Sequence, residues 1–124
     1  MNDARTHSQN TAKGREGEAR AAAYLEAKGY HILARNFHSP LGELDIVAFD
    51  PLQKALVCVE VKLWSTGYYP LDDIRYVISG MKRKRLLGGF SEFIASNAQL
   101  RYDYSRVDVI SIVGDETFHF EGVC

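Results

Sequence analysis

Two carboxylates and a lysine stand inside runs that are otherwise apolar. Asp45 interrupts ELDIVAF, and Glu60 and Lys62 interrupt ALVCVEVKL. Ionised groups are almost never fully buried unless they are paired or bound to a metal. Side chains alternate along a strand, so Val57, Val59 and Val61 share one face. Leu56, Cys58, Glu60 and Lys62 share the other. Asp45 falls on the face of Glu43 and Val47. If the two runs pair, Asp45 sits opposite or diagonal to Glu60, about 4.5–8 Å away. Carboxylates that close repel, and one must protonate unless a cation joins them. A hard divalent ion, Mg²⁺ or Mn²⁺, takes carboxylate oxygens, backbone carbonyls and waters, and Val61 is the local carbonyl candidate. Lys62 then adds positive charge beside the ion. There it orients or helps deprotonate a water, or stabilises charge on a transferring phosphoryl group. That is the layout of metal-dependent phosphodiester hydrolysis. The competing reading is a salt-bridge cluster on a solvated sheet face. Three ion groups at neighbouring strand positions are costly to bury without a use, which favours chemistry.

A nucleic-acid substrate needs positive charge, and the net charge of −1 shows no bulk excess. Any such role rests on segregated charge. Lys82-Arg83-Lys84-Arg85 is the one dense basic run. It reads as phosphate-backbone contact or as a plain solvated helix face. Arg75 and Arg106 are further basic candidates. Trp64, Tyr68 and Tyr69 suit either stacking on exposed bases or packing at a domain edge or dimer interface. His31, His38 and His119 read as peripheral rather than as ligands. Glu18 reads from its own surroundings as a solvated helix carboxylate near Arg15 and Arg20, with Glu16 a close rival for any role it has.

The elements that must position these groups follow from pattern. With 124 residues, 46% hydrophobic and 25% charged, the chain suits one soluble domain with a core of its own. Met1 to Lys13 reads as a polar tail and residues 14–124 as the folded domain. Gly14 to Lys28 is rich in Ala, Glu and Arg and reads as a helix stopped by Gly29. Ala19, Ala22, Ala23 and Leu25 or Glu26 fall at helical spacing as its expected inner face. Strands are expected at Tyr30–Phe37, Glu43–Phe49 and Ala55–Leu63, joined by short turns as an antiparallel meander. Leu71 to Asn97 reads as helix in two pieces broken at Ser79-Gly80, with Leu86, Leu87, Phe90, Phe93 and Ile94 as an apolar stripe. Gly88-Gly89 within it suggests a close helix–sheet approach. Arg106–Val113 and Thr117–Glu121 read as two more strands. Cys58 and Cys124 lack metal-ligand spacing and suit a reducing compartment, hence the cytoplasm. No stretch approaches the ~20 apolar residues of a membrane span, and the polar start is no secretory signal.

The expected order, αβββαβ with a short fifth strand, describes an α/β fold: a mixed sheet flanked by helices. Asp45…Glu60-Val61-Lys62 is similar to the D…(D/E)xK signature of the restriction-endonuclease-like superfamily, whose common core has this order. The segments GREGEARAAAYLEAKGYHIL, ARNFHSPLGELDIVAFD, LVCVEVK, MKRKRL and SRVDVI resemble the small bacterial YraN-like family, relatives of archaeal Holliday-junction resolvases. The resemblance runs from Gly14 to Ile112. It implies a Mg²⁺- or Mn²⁺-dependent endonuclease acting on branched or structured DNA, with a two-fold dimer as its working form. It makes Asp45 and Glu60 metal ligands, Lys62 the catalytic lysine and Glu18 the acidic residue that completes the metal site. Lys82 matches the recurrent lysine of the second helix, and Arg106 with Asp108 the basic-x-acidic start of the fourth strand. Departures stand at Leu63-Trp64, where a basic residue is frequent, at Leu44, where the wider signature has proline, and at Leu71–Ser79, which is longer than usual. The alternative class is a non-catalytic DNA-binding or assembly protein that retains the fold.

Overall fold

The computed structural model describes residues 12–64 and 80–124. Helix α1 (Ala12–Ala27) leads into strands β1 (His31–Ser39), β2 (Gly42–Asp50) and β3 (Ala55–Trp64). Helix α2 (Gly80–Ser96), β4 (Tyr104–Val113) and β5 (Glu116–Phe120) follow. The five strands form one sheet in chain order. Neighbours are antiparallel except β3 and β4, which are parallel and have α2 between them in the chain. The fold is α/β, with the αβββαβ order that the resemblance implies and a fifth strand at the edge. Among the described residues no helix is long and apolar enough to cross a membrane.

The two helices bury opposite faces of the sheet. Ala21, Ala22 and Leu25 of α1 pack with Ile46, Ala48, Val57, Val59, Ile110 and Ile112. Leu86, Phe90 and Phe93 of α2 pack with Leu44, Val47, Leu56, Cys58, Val107 and Val109. The alternation read from β3 therefore holds, and each face has its own helix. The inner face of α1 is rotated from the expected one: Ala19 and Ala23 are exposed, while Gly17 and Glu18 turn inward. Alanines are too alike for hydrophobicity to choose among them. Gly17 decides, because a Cβ there would stand 3.2 Å from Leu63 Cβ, so the helix lies close to β3 along that line. Gly29, at φ 96, ends α1: its N–H reaches Glu26 O at 2.9 Å and the Tyr30 N–H reaches Leu25 O at 3.0 Å. This pair of bonds satisfies two carbonyls of the last helical turn, Glu26 and Leu25.

Of the helical stretch expected over Leu71–Asn97, the part before Gly80 lies outside the described residues. The stripe of α2 is narrower than read, because Leu87 is exposed and Ile94 only half-buried. Gly88-Gly89 does mark a close approach. A Cβ on Gly89 would lie 3.1 Å from the Gly42 carbonyl carbon and 3.2 Å from Glu43 N. Helix backbone thus rests on the start of β2, which fixes where the first turns of α2 sit over the sheet.

Candidate functional site

The β2–β3 ladder ends at the pair Ile46–Val59. One step further the register sets Asp45 against Glu60. Leu44 belongs to the α2-side cluster and Ile46 to the α1-side cluster, so β2 turns about its own axis through Asp45. There the Val61 N–H donates to Asp45 Oδ2 at 2.8 Å. A side chain has taken the place of a backbone acceptor where the strands part. Asp45 is 3% exposed, and its other oxygen, Oδ1, has no hydrogen-bond donor among the described residues. Burial, and next the negative charge of Glu60, push the Asp45 carboxyl well above its usual range. The Val61 N–H and the Lys82 charge oppose that shift without cancelling it.

Glu60 is buried on β3, and its Oε2 lies 2.7 Å from Lys82 Nζ of α2. Burial alone would lower the Lys82 ammonium, but the Glu60 carboxylate outweighs it and the pKa is raised. Glu18 reaches the same region from α1. Its Oε1 accepts from Arg35 Nε at 3.3 Å, and its Oε2 is buried without a donor among the described residues. Burial raises the Glu18 carboxyl despite Arg35. Lys62 is half-buried, with Nζ 5.4 Å from the centre of the Trp64 ring. Trp64 is held in turn by a 2.6 Å bond from Nε1 to Ser111 Oγ. Val61 sends its side chain into the α1-side cluster while its N–H serves Asp45.

The donor chemistry fits a hard cation. Two buried carboxylate oxygens, Glu18 Oε2 and Asp45 Oδ1, have no donor among the described residues, and Asp45 feels the charges of both Glu60 and Glu18. Buried carboxylate oxygens are normally satisfied, and oxygen donors of this kind are what Mg²⁺ and Mn²⁺ take. Among the described residues no three His, Cys, Asp or Glu side chains stand together as a ready ligand set. Arg35 and Lys82 hold one oxygen each of Glu18 and Glu60.

The remaining sequence candidates divide. Glu16 is exposed and pairs with Arg20 at 3.7 Å, so Glu18, not Glu16, faces the sheet. Arg83, Lys84 and Arg85 are exposed on α2, with Arg85 3.6 Å from Glu43. Lys82 differs from them, since its ammonium is on Glu60. Arg106 is not brought to this group at all. Its side chain is 8% exposed and lies among Asp108, Asp50 and Tyr30 on the α1 side. His119, expected at the periphery, has a buried side chain between Asp108 and Lys28. Tyr68, Tyr69 and Arg75 lie outside the described residues. Arg35 was not read as a site residue. Nothing local marks it, because its contact depends on how α1 lies against β1. The Arg106–Asp108 pair does have a signal: two opposite charges two residues apart on a strand share a face.

The family model described as "Uncharacterised protein family UPF0102" matches residues 17–112. That span holds Glu18, Asp45, Glu60, Lys62 and Lys82. A UPF0102 protein of Persephonella marina is 40% identical over 111 residues, covering 88% of this chain and 90% of that protein. One from Rhodopseudomonas palustris strain HaA2 is 39% identical over 95 residues, covering 73% and 70%. One from Treponema denticola is 36% identical over 103 residues, covering 78% and 77%.

Proposed function

This chain belongs to the UPF0102 family, and we propose that it is a metal-dependent endonuclease hydrolysing phosphodiesters of branched or structured DNA. One observation carries the reading: the buried carboxylates of Asp45 and Glu18 each keep an oxygen with no donor among the described residues, beside Glu60 and at the point where β2 and β3 part. An acidic cluster left short of positive charge inside a fold is a place prepared for a cation. Asp45, Glu60 and Glu18 hold Mg²⁺ or Mn²⁺ in this reading. The ion supplies Lewis acidity toward a phosphoryl oxygen and a water of lowered pKa. Lys62, on the same strand face as Glu60, assists that water or the charge that develops on the phosphoryl group. Arg83, Lys84 and Arg85 offer exposed positive charge on α2 for the DNA backbone.

A second reading has its own support. Glu60 already has an ion-pair partner in Lys82, as a retained but idle site would. In that case the chain binds DNA or assembles with a partner without cutting. Cleavage of a panel of duplex, flap and four-way DNAs with Mg²⁺ or Mn²⁺ separates the two. The wild type cuts at least one of them. Lys62→Ala loses about 10²–10³ in rate, the usual loss for one transition-state charge partner, and Glu60→Ala loses cleavage together with metal affinity. No metal-dependent cleavage by the wild type moves the assignment to the binding protein.

A further inference from the structure

Lys82 Nζ lies 2.7 Å from Glu60 Oε2. This contact crosses from the first turn of α2 to the sheet. Its neighbours Arg83, Lys84 and Arg85 are exposed on the same helix. Lys82 thus neutralises one carboxylate of the acidic group, while Asp45 Oδ1 and Glu18 Oε2 have no donor among the described residues. The Lys82 charge also favours the ionised form of Asp45. A compact ammonium on a four-carbon stem is the side chain best suited to leave such a place. It makes a point-charge contact, not the two-pronged one of a guanidinium, and its side chain is half exposed.

We infer that Lys82 is a tethered counter-ion that a divalent cation displaces from Glu60. The inference rests on the metal site proposed above and deepens it. Cation entry and release of Lys82 are then one event. The carboxylates pass to the ion, and the freed ammonium is returned to the basic end of α2, where phosphate binds. Two effects follow. The tether competes with the ion, so metal binds more weakly than the bare carboxylates would allow. DNA contact through Lys82 waits for the metal, so an unloaded site holds the backbone less firmly than a loaded one.

Calorimetric titration of the DNA-free protein with Mn²⁺ tests this. Lys82→Met removes the competing charge and keeps the apolar stem. Lys82→Gln keeps a hydrogen-bond donor for Glu60 and guards against a variant that folds poorly. Both are expected to bind Mn²⁺ about tenfold more tightly than wild type, equivalent to 1.4 kcal/mol. Lys82→Arg keeps the charge and stays near wild type. Equal or weaker binding by both neutral variants overturns the inference while leaving the metal site standing. Absence of Mn²⁺ binding in every protein overturns the metal site and this inference together. Tighter binding by Lys82→Arg as well overturns it too, because loss of the tether's charge is then not the cause.

Discussion

The same sheet carries two buried ionic groups, and they differ in how fully their oxygens are satisfied. On the α1 side, Asp108 is completely buried, yet four donors reach it. Arg106 Nε stands at 3.0 Å, Arg106 Nη2 at 3.3 Å, His119 Nε2 at 2.7 Å and Gly122 N at 3.0 Å. Lys28 Nζ lies 2.9 Å from His119 Nδ1. A lysine ammonium only donates, so Nδ1 accepts and Nε2 carries the proton directed at Asp108. Arg106 also reaches Tyr30 Oη at 2.6 Å and Asp50 at 3.5 Å. Burial would raise the Asp108 carboxyl, but the His119, Arg106 and Gly122 hydrogen bonds outweigh it and the pKa is lowered. The Asp45 group is the reverse case. The Asp45 and Glu18 carboxyls are raised, and one oxygen of each has no donor among the described residues. Buried charge completed from within the chain is architecture. Buried charge left incomplete is what motivates the cation proposed above.

The largest expected effect breaks the completed group. Arg106→Leu leaves Asp108 buried with its main cation gone, and unfolding in urea should show a loss of about 3–5 kcal/mol. A loss under about 1 kcal/mol would mean that Arg106 is not the structural keystone that its contacts describe. Gly89→Ala comes next, at about 1–3 kcal/mol, since its Cβ meets the β2 backbone and overpacking is costly. It strains the seat of α2 above Glu60 and leaves the Arg106 group untouched, so a Lys28–His119 contact perturbed in its NMR spectrum would contradict the separation of the two regions.

The smallest effect is the most telling about the contrast. Asp45→Asn keeps a side-chain acceptor for the Val61 N–H and removes a charge that repels Glu60. Its stability in metal-free buffer should stay within about 0.5 kcal/mol of wild type or rise, as for other substitutions that relieve a destabilised functional site. The pH dependence follows with opposite signs for the two aspartates. A carboxyl raised in the folded state binds protons that the unfolded chain does not. Asp45 therefore costs stability as pH rises through its folded pKa, and the cost disappears below the ordinary carboxylate value. A lowered carboxyl acts the other way. The contribution of Asp108 is present above its unfolded pKa and is lost as pH falls through its folded one. Asp45→Asn should remove the first slope and leave the second. A pH–stability profile identical to wild type would contradict the assignment of the raised carboxyl to Asp45.

Much of this was legible in residue order. Strand runs rich in Val and Ile announced β2, β3 and β4 to within two residues at each end. Asp45 and Glu60 stood out because a charge inside an apolar run has few innocent explanations. The parts that were not legible depend on packing. Ala19, Ala22 and Ala23 are chemically alike, so the inner face of α1 was settled by Gly17 and β3, and with it the inward turn of Glu18. By charge alone Lys82 looks like its neighbours Arg83 and Lys84, and it was the resemblance that set it apart; its contact with Glu60 was not legible. That contact depends on where Gly42 and Gly89 let α2 settle. Arg106 read as a surface cation because a strand sequence does not say what covers its first residues; β5 and the Lys28 end of α1 do. His119 was misplaced for the same reason.

The central claim is that the incomplete group is completed by a divalent cation. The direct measurement is equilibrium unfolding of wild type and Asp45→Asn/Glu60→Gln with and without Mn²⁺, free of DNA. Binding to the folded state alone stabilises by mass action, by about 1.4 kcal/mol when the ion is at ten times its Kd. Wild type is expected to show that gain and the double variant none, with both proteins folded in metal-free buffer. An equal gain in both, or none in wild type at any millimolar concentration, would contradict it.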